Sequence, residues 1–483
     1  MTPLFLFLFS LFTPSVLSAP KFYPVHDFGT VQLDNATFTG VLDGELNTMK
    51  FLGIPYAKPP TGDLRFRRPV SPDPYIGSHS ATKYGRSCPQ QPATFPGSYS
   101  SIGSFVTKRL ALAWEKDFPD GEDCLSLNVF VPTGTSKSVK LPVLVWLYGG
   151  GFQFGSSDMK LFDGAKIVSR SKEAKQPVIV VTLNYRGSLF GFLGGKEMKA
   201  AEAGNLGLQD QRLALRWVQK YVSNFRGDPT KVTLWGESAS AISTALHMAT
   251  NDGDNEGLFR AASMQSGAAI PITDIDDKAP QKEYNMLVDR VGCSASNDTL
   301  QCLREVPYKA LRDFMLTTPG IFEYTSLALT WIPRIDGNFI KRAPTHSVKD
   351  GQVAKIPFVT GNTLDEATVF SLSVLNITTE KQFQHWFKAT YLPVATADEM
   401  RTLSAMYPAN LETGSFFESA LQKALSPQFK RISAVQGDLS FQAPRRHFIQ
   451  SLAGQQKAWS FLYARGSDIP VLGAFHGEDL LNI

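Results

Sequence analysis

A serine at the junction of a strand-like and a helix-like segment is the residue best suited to chemistry. A short, β-branched and mostly apolar run over residues 232–235 leads into Gly236-Glu237-Ser238-Ala239, and helix-forming sequence follows. A serine on a sharp strand-to-helix turn exposes its hydroxyl, and the first amides of the helix point at any oxyanion formed in front of it. The usual pattern has a second glycine where this chain has Ser240, which is small enough for the turn to form. The pattern predicts a nucleophile, although so short a motif is also typical of ordinary turns.

Three consecutive glycines offer the amides that an oxyanion needs. The run Tyr148-Gly149-Gly150-Gly151-Phe152 follows a short apolar segment. Without side chains the backbone approaches a substrate closely, so the amides of Gly150 and Gly151 can join that of Ala239 around a developing oxyanion. A flexible glycine-rich turn is the alternative interpretation. The spacing matches neither a Walker A nor a dinucleotide-binding loop, so we expect no phosphate ligand there.

The segments that must position these residues alternate between short apolar runs and longer helical stretches. The apolar runs are Leu125 to Val131, Val143 to Leu147, Val178 to Leu183, Val232 to Trp235, Phe358 to Thr360 and Trp459 to Tyr463. Near-continuous apolar strands separated by helices are typical of a mostly parallel sheet covered on both faces. The clearest helix precedes the nucleophile turn, with apolar residues at helical spacing from Leu213 to Phe225. The predicted fold class is α/β.

Composition narrows the classes of function. The 483 residues are 43% hydrophobic and carry a formal net charge of +4, which allows a large core and gives no sign of nucleic-acid binding. No internal repeat, low-complexity linker or run of five like charges divides the chain. We therefore expect a single domain over residues 19–483. We predict no metal site and no cofactor, and we leave the oligomeric state open.

The first eighteen residues are predicted to be a secretory signal peptide. An apolar run from Leu4 to Phe12 precedes a small-residue site at Val16-x-Ser18, and the mature chain is expected to start near Ala19. The run is too short to span a membrane, and no later stretch reaches 18 uninterrupted apolar residues. The sequence therefore predicts a secreted protein without a transmembrane segment.

The four cysteines agree with an oxidising compartment. An even, small number in a secreted chain indicates disulfides rather than reactive thiols, and we pair Cys88 with Cys124 and Cys293 with Cys302. Three triplets are glycosylation acceptors if they are exposed. Their asparagines are Asn35, Asn297 and Asn376.

Several further motifs occur in order over almost the whole mature chain. They are Phe51-Leu52-Gly53-Ile54-Pro55-Tyr56-Ala57, Glu122-Asp123-Cys124-Leu125-Ser126-Leu127-Asn128-Val129, Asn184-Tyr185-Arg186, Gly204-Asn205, Gly227-Asp228-Pro229 and Gln265-Ser266-Gly267. Together with the glycine run and the serine turn, they make the chain resemble the type-B carboxylesterase and lipase family of α/β-hydrolases. The resemblance is greatest to secreted fungal lipases of the Candida rugosa and Geotrichum type. It implies a large, mostly parallel central sheet with helices on both faces, and the same cysteine pairing.

The resemblance also implies the other two members of a catalytic triad. The family's acid lies in a turn matched by Asp365-Glu366-Ala367-Thr368, and its histidine in a segment matched by Phe475-His476-Gly477-Glu478-Asp479. The order Ser238, Glu366, His476 is the one expected of an α/β-hydrolase. The alternatives are a solvated acidic turn and a surface histidine. Glu237, beside the nucleophile, is interpreted as structural.

These residues predict a secreted carboxylic-ester hydrolase that works through an acyl-enzyme and acts on hydrophobic acyl esters, as a lipase does. In the related lipases the loop that corresponds to residues 88–124 is a lid, and its apolar residues here fall at helical spacing. A lid would bring transient contact with a lipid–water interface, whereas a permanently docked helix would fit a carboxylesterase of short-chain, soluble esters.

A noncatalytic adhesion protein of the cholinesterase-like type is the hypothesis from another class. Such proteins characteristically lack the nucleophile, which this chain retains as Ser238. Seven residues follow His476, whereas relatives continue for several dozen more. We therefore expect the C-terminal part to be truncated, which adds an inactive truncated homologue to the alternatives.

Overall fold

The computed structural model describes residues 29–93, 120–136, 138–409 and 425–482. Within these ranges the strands form one sheet of nine strands and one of three. They are β1 (Thr30–Leu33), β2 (Asn35–Thr39), β3 (Val41–Asp43), β4 (Thr48–Pro55), β5 (Ile76–Ser80), β6 (Ser126–Pro132), β7 (Leu141–Leu147), β8 (Ile179–Leu183), β9 (Gly227–Glu237), β10 (Ala261–Gln265), β11 (Phe358–Thr363) and β12 (Ala458–Tyr463).

Helices connect the strands of the large sheet. The α-helices of the described residues are Gly164–Glu173, Ser188–Phe192, Lys196–Ala200, Leu206–Tyr221, Ala239–Ala249, Lys278–Arg290, Thr299–Glu305, Tyr308–Met315, Pro344–Lys349, Thr368–Ser371, Glu380–Thr390, Ala397–Met406, Phe429–Gly437 and Ala443–Leu452. A π-helical segment, Asp438–Gln442, joins the last two.

The large sheet has the order β12-β11-β10-β9-β7-β8-β6-β4-β3. The five pairs from β12 to β8 are parallel, and the three pairs that involve β6, β4 and β3 are antiparallel. The sheet is therefore mostly parallel, as predicted, and the fold is α/β. The antiparallel strands β6, β4 and β3 lie together at one edge of the sheet.

Burial on both faces explains the near-continuous apolar runs of the central strands. Every residue of β6 and β8 is buried, which is what helices on both faces of a sheet require. The edge strand β12 is different, because Trp459 and Leu462 are more than half exposed. The apolar core thus lies around the middle of the sheet, under the strands that lead to the serine turn.

The helix that precedes β9 starts earlier than its periodicity predicted. It spans Leu206–Tyr221, and a 3-10 turn, Val222–Phe225, completes it. Arg226 then adopts a left-handed conformation with φ 67°, which ends the helical path and lets Gly227 start the strand. The parallel register places Glu237 beside Gln265, and Gly236 beside Leu147. The carboxyl ends of the central parallel strands therefore lie side by side at the same end of the strands, which is where open α/β folds bind ligands.

Both predicted disulfides are present, Cys88–Cys124 and Cys293–Cys302. The signal peptide predicted over residues 1–18 lies outside the described residues, and so does the part of the lid-like loop from 94 to 119. Across the described ranges, no helix combines the length and apolar character of a membrane span. The same ranges hold no cluster of side chains that could bind a metal ion.

Candidate active site

The backbone of Ser238 is strained in the way that a nucleophile turn requires. Ser238 has φ 58° and ψ −127°, a region that residues with a side chain occupy only when the surrounding structure imposes it. The turn leaves no room for a side chain at Gly236, where a Cβ would lie 2.4 Å from the carbonyl oxygen of Ser240. The helix Ala239–Ala249 begins at the next residue, so the amide of Ala239 is one of the free amides of its first turn.

Ser240, at the position of the second glycine, forms hydrogen bonds within the turn. Its hydroxyl donates to the carbonyl oxygen of Leu147 at 2.6 Å and accepts from the amide of Glu237 at 3.0 Å. Leu147 is the last residue of β7, and the three glycines follow it. The side chain that departs from the usual motif therefore links the serine turn to the strand that carries the glycine run.

The Gln265-Ser266-Gly267 motif supports the turn from β10. The amide of Ser238 donates to the carbonyl oxygen of Gln265 at 2.8 Å. A Cβ on Gly267 would lie 2.6 Å from the carbonyl oxygen of Ser238, so glycine is needed for this close approach. Gln265 and Gly267 of this motif are thus needed for the hydrogen bond and the close packing that support the serine turn.

Glu366 and His476, assigned from opposite ends of the C-terminal region, are in direct contact. Glu366 Oε2 lies 2.6 Å from Nδ1 of His476. Its other oxygen, Oε1, accepts from Nδ2 of Asn362 at 3.0 Å and from the amide of Thr363 at 2.9 Å. Burial alone would raise the pKa of Glu366, but the neighbouring imidazole and the hydrogen bonds from His476 and Asn362 help to outweigh burial and lower it. The carboxylate is therefore held charged and fixed against one edge of the imidazole.

The opposite edge of the imidazole faces a second carboxyl group. Nε2 of His476 lies 3.2 Å from Oε1 of Glu237. Burial of Glu237, together with the nearby Asp479 and Glu366, raises its pKa to about 8 against the opposing effect of His476. Burial disfavours the charged form of His476, but the carboxyl groups around it dominate and raise its pKa to about 9. Three buried acidic side chains, Glu237, Glu366 and Asp479, therefore influence the charge of one imidazole at this site.

One cavity brings the candidate residues together. Ser238, His476 and the glycines from 149 to 151 all line it. Gly149 packs directly against Ser238, because a Cβ on Gly149 would lie 2.9 Å from Cβ of Ser238. Gly150 and Gly151 have φ of 91° and 62°, a backbone conformation that glycine adopts without strain. The cavity is thus lined by a hydroxyl, an imidazole and a glycine turn, the kinds of group from which acyl-transfer sites are built.

The rest of the cavity wall is mostly apolar. Its apolar side chains are Phe154, Met159, Leu161, Phe162, Ile321, Phe322, Val369, Phe370 and Leu480. Phe370 and Phe441 also pack against the imidazole, with ring centroids 5.1 Å and 4.7 Å from that of His476. An apolar wall next to a reactive hydroxyl is typical of sites that bind hydrocarbon.

Sequence reasoning missed several side chains that contact Glu366 and its neighbours. Asn362 itself is oriented by the guanidinium of Arg445, which donates to its side-chain oxygen. Asp479 accepts from Nε2 of Gln265 at 2.8 Å, and Gln265 accepts from the indole of Trp235. Asn362 lies four residues before Glu366, but no motif marks an asparagine at that spacing as a partner of the acid.

The predicted glycosylation acceptors share one property. Asn35, Asn297 and Asn376 are all exposed, as a glycosylation acceptor must be.

Comparisons with known proteins give one consistent result. Residues 29–483 match the model of the carboxylesterase family. Lipase 2 of Diutina rugosa is 42% identical over 439 residues, which cover 89% of this chain and 79% of that protein. A secreted triacylglycerol lipase of Gibberella zeae is 38% identical over 94% of this chain and 78% of its own length.

A third curated relative and a solved structure agree with these matches. Lipase 2 of Geotrichum candidum is 38% identical over 92% of this chain and 82% of its own length. Among solved structures, the crystal structure of Aspergillus niger EstA superposes with a TM-score of 0.78 at 28% identity, covering 93% of this chain and 81% of that one. The family match over residues 29–483 includes the sheet, the serine turn and the segment that carries His476.

Proposed function

The chain belongs to the carboxylesterase family and is a carboxylic ester hydrolase, and from this premise we propose that Ser238, Glu366 and His476 are its catalytic triad. The observation that carries the proposal is the shared cavity. A serine on a strained turn and a histidine held by a buried glutamate line it together. A hydroxyl and an acid-oriented base that line the same apolar cavity are the groups that nucleophilic catalysis on an ester requires.

Acylation follows from the chemistry of these groups. Neutral His476 takes the proton of the Ser238 hydroxyl through Nε2 as Oγ attacks the ester carbonyl carbon. Among the described residues Nε2 forms no hydrogen bond of normal geometry, although Oε1 of Glu237 lies 3.2 Å from it. Glu366 holds Nδ1 protonated and stabilises the imidazolium. The bond to the leaving alcohol then breaks, and His476 returns the proton to the alcohol oxygen.

The amides of Gly150, Gly151 and Ala239 are proposed to bind the oxyanion. They come from the glycine turn after β7 and from the first turn of the helix after Ser238. Amides fixed where negative charge develops stabilise that charge strongly, and the loss of one such donor costs about a hundredfold or more in turnover. Water then attacks the acyl-enzyme by the same route, with His476 as base, and releases the acid.

Hydrophobic acyl esters are the proposed substrate class. Support comes from the apolar wall around the nucleophile and from relatives that are named lipases. A hydrocarbon chain buried there is stabilised by about 0.8 kcal/mol for each methylene group. Longer acyl chains therefore bind more tightly until the cavity is filled.

Secretion and contact with a lipid–water interface complete the proposal. Two disulfides agree with an oxidising compartment, and a relative at 38% identity is named a secreted triacylglycerol lipase. We propose that residues 1–18 are removed on export and that the loop 88–124 meets the interface. N-terminal sequencing of secreted protein tests the first point, and activity measured below and above the solubility limit of the ester tests the second.

The deciding experiment measures hydrolysis of p-nitrophenyl esters of short to long acyl chains, with the Ser238→Ala variant beside the unaltered protein. We expect activity to rise with chain length and on emulsified substrate, and to vanish in the variant. A steep fall beyond short chains, without a rise on emulsions, would indicate a carboxylesterase of soluble esters. Full activity in Ser238→Ala would remove the proposed nucleophile.

A further inference from the structure

The segment that carries His476 has no regular secondary structure of its own. Residues 464–477, between β12 and the terminal 3-10 turn, contain neither helix nor strand. A base on such a segment is placed only as well as its contacts place it. The contacts that fix it therefore decide whether the imidazole meets Glu366.

Asp365, the residue before the acid, makes two of these contacts. Its amide donates to the carbonyl oxygen of Ala474 at 3.0 Å, and its side-chain Oδ2 accepts from the amide of the same residue at 2.7 Å. Asp365 also pairs with Phe475 as an isolated parallel bridge. Asp365 is only 4% exposed, so water does not compete for these hydrogen bonds.

Thr368 makes a third contact from the same turn. Its hydroxyl oxygen lies 2.7 Å from the carbonyl oxygen of Leu472 and 2.9 Å from that of Asp365. The segment approaches this turn closely, because a Cβ on Gly473 would lie 2.1 Å from Oδ2 of Asp365. Gly473 also has φ 60°. The fit between the two segments is therefore specific to glycine at this position.

We propose that Asp365 is a positioning residue for ester hydrolysis, because its side-chain oxygen and its amide hold the His476 segment where the imidazole meets Glu366. This inference rests on the proposed triad. Asp365 and Glu366 are neighbours in the chain, so the turn that presents the acid also holds the base. A single turn after β11 thus sets the separation of the two groups.

The acceptor oxygen, rather than the negative charge, is the part of Asp365 that the contact needs. Burial and the adjacent Glu366 raise the pKa of Asp365 to about 6, against the effect of the Ala474 amide. A charge at this position is therefore not favoured by its surroundings. Asparagine keeps an acceptor oxygen in the same place and carries no charge, which makes it the conservative replacement.

The test compares Asp365→Ala with Asp365→Asn on p-nitrophenyl butyrate. We expect Asp365→Ala to lower kcat by about ten- to a hundredfold, because a base misplaced by about 1 Å costs on that order, with KM changed less than about twofold. Asp365→Asn should keep kcat within about threefold of the unaltered enzyme, since the hydrogen bond survives.

Asp228→Ala is the matched control. Its carboxylate likewise accepts a backbone amide, that of Thr230, at 3.0 Å, but near the opposite end of β9 from Ser238. We expect no change in kcat from this variant. Equal losses in Asp228→Ala and Asp365→Ala would show a general effect on the fold and overturn the proposal.

A second pair of variants keeps the test decisive if Asp365→Ala fails to fold. Thr368→Val removes the hydroxyl that contacts Leu472, whereas Thr368→Ser keeps it. We expect kcat to fall in the first and to be retained in the second, with far-ultraviolet circular dichroism unchanged in both. Equal kcat in the two Thr368 variants would contradict the proposal, and so would a loss in Asp365→Asn as large as in Asp365→Ala.

The Ser238→Ala variant separates this inference from the proposed function. Activity in Ser238→Ala would mean that the triad itself is wrong. An inactive Ser238→Ala together with normal kcat in Asp365→Ala would leave the triad standing and overturn only the role of Asp365.

Discussion

Glu237 Oε1 lies 3.2 Å from Nε2 of His476, on the opposite edge of the imidazole from Glu366. The proposed base is therefore flanked by two buried carboxyl groups, one at each ring nitrogen. The sequence suggested only a structural role for Glu237, as the neighbour of the nucleophile. In the proposed mechanism this nitrogen takes the serine proton, so Glu237 influences the pH at which the nitrogen is free to do so.

The first prediction concerns the pH dependence of Glu237→Gln. Negative charge beside an imidazole favours its protonated form, so the carboxyl groups raise the pKa of His476 to about 9 although burial opposes this. Only the neutral form accepts the serine proton, so kcat/KM rises with pH through this pKa. Removing one carboxyl group lowers the pKa, and the acid limb of kcat/KM should move to lower pH.

The measurement is kcat/KM for p-nitrophenyl butyrate across the pH range that brackets this pKa. Glu173→Gln is the control, because Glu173 is exposed and pairs with Arg170 at 2.7 Å on the surface. Its profile should overlay that of the unaltered enzyme. An acid limb in Glu237→Gln that stays in place or moves to higher pH would show that this carboxyl group does not set the pKa of the base.

The second prediction concerns Glu366→Gln. The amide keeps the size of the side chain but loses the charge that stabilises the imidazolium, and it can present a donor to Nδ1. We expect kcat to fall by about three to four orders of magnitude with little change in KM, as for the loss of the acid in other triads. Steady-state rates at saturating ester measure this, and a loss below about tenfold would contradict the assignment of Glu366.

The third prediction concerns the stability of Ser240→Ala. Without the hydroxyl, the carbonyl oxygen of Leu147 and the amide of Glu237 lose a buried partner. Leaving such groups unpaired should lower the free energy of unfolding by about 1–3 kcal/mol. Urea unfolding followed by tryptophan fluorescence measures the change. Ser294→Ala, at an exposed position, is the control. Equal changes in the free energy of unfolding would mean that the Ser240 hydroxyl stabilises the fold no more than an exposed hydroxyl does.

The fourth prediction concerns the disulfide Cys293–Cys302. Its cysteines are nine residues apart in the chain, and its removal should cost about 2–3 kcal/mol on the chain-entropy model. Cys293 precedes the helix Thr299–Glu305, and Cys302 lies within it. Neither cysteine lines the cavity that holds Ser238 and His476. The double variant with alanine at both positions should therefore unfold at lower urea but keep kcat. A large loss of kcat in folded protein would show an unexpected connection to the site.

Local pattern and spacing predicted the parts of the site that lie within one strand-turn-helix unit. Ser238 could be found because the turn needs glycine before it and a helix after it, and both requirements show in the sequence. The glycine run could be found because three consecutive glycines follow a short apolar segment. The central strands were visible because burial on both faces leaves a continuous apolar run.

Contacts between distant segments could not be predicted in this way. Glu366 and His476 are 110 residues apart, and only the resemblance to known hydrolases connected them. The contacts of Asp365 with Ala474 and of Glu237 with His476 depend on the register of the parallel strands and on the path of an irregular segment. Neither leaves a periodic signal, because each joins two single residues that lie far apart in the chain.

The most direct test of the central claim is covalent labelling of the nucleophile. A p-nitrophenyl alkylphosphonate mimics the ester and phosphonylates a serine that is activated by a neighbouring base. We expect release of one equivalent of p-nitrophenol per protein, complete loss of esterase activity, and a mass increase confined to the peptide that contains Ser238. Full activity after labelling, or a label on any other residue, would contradict the account.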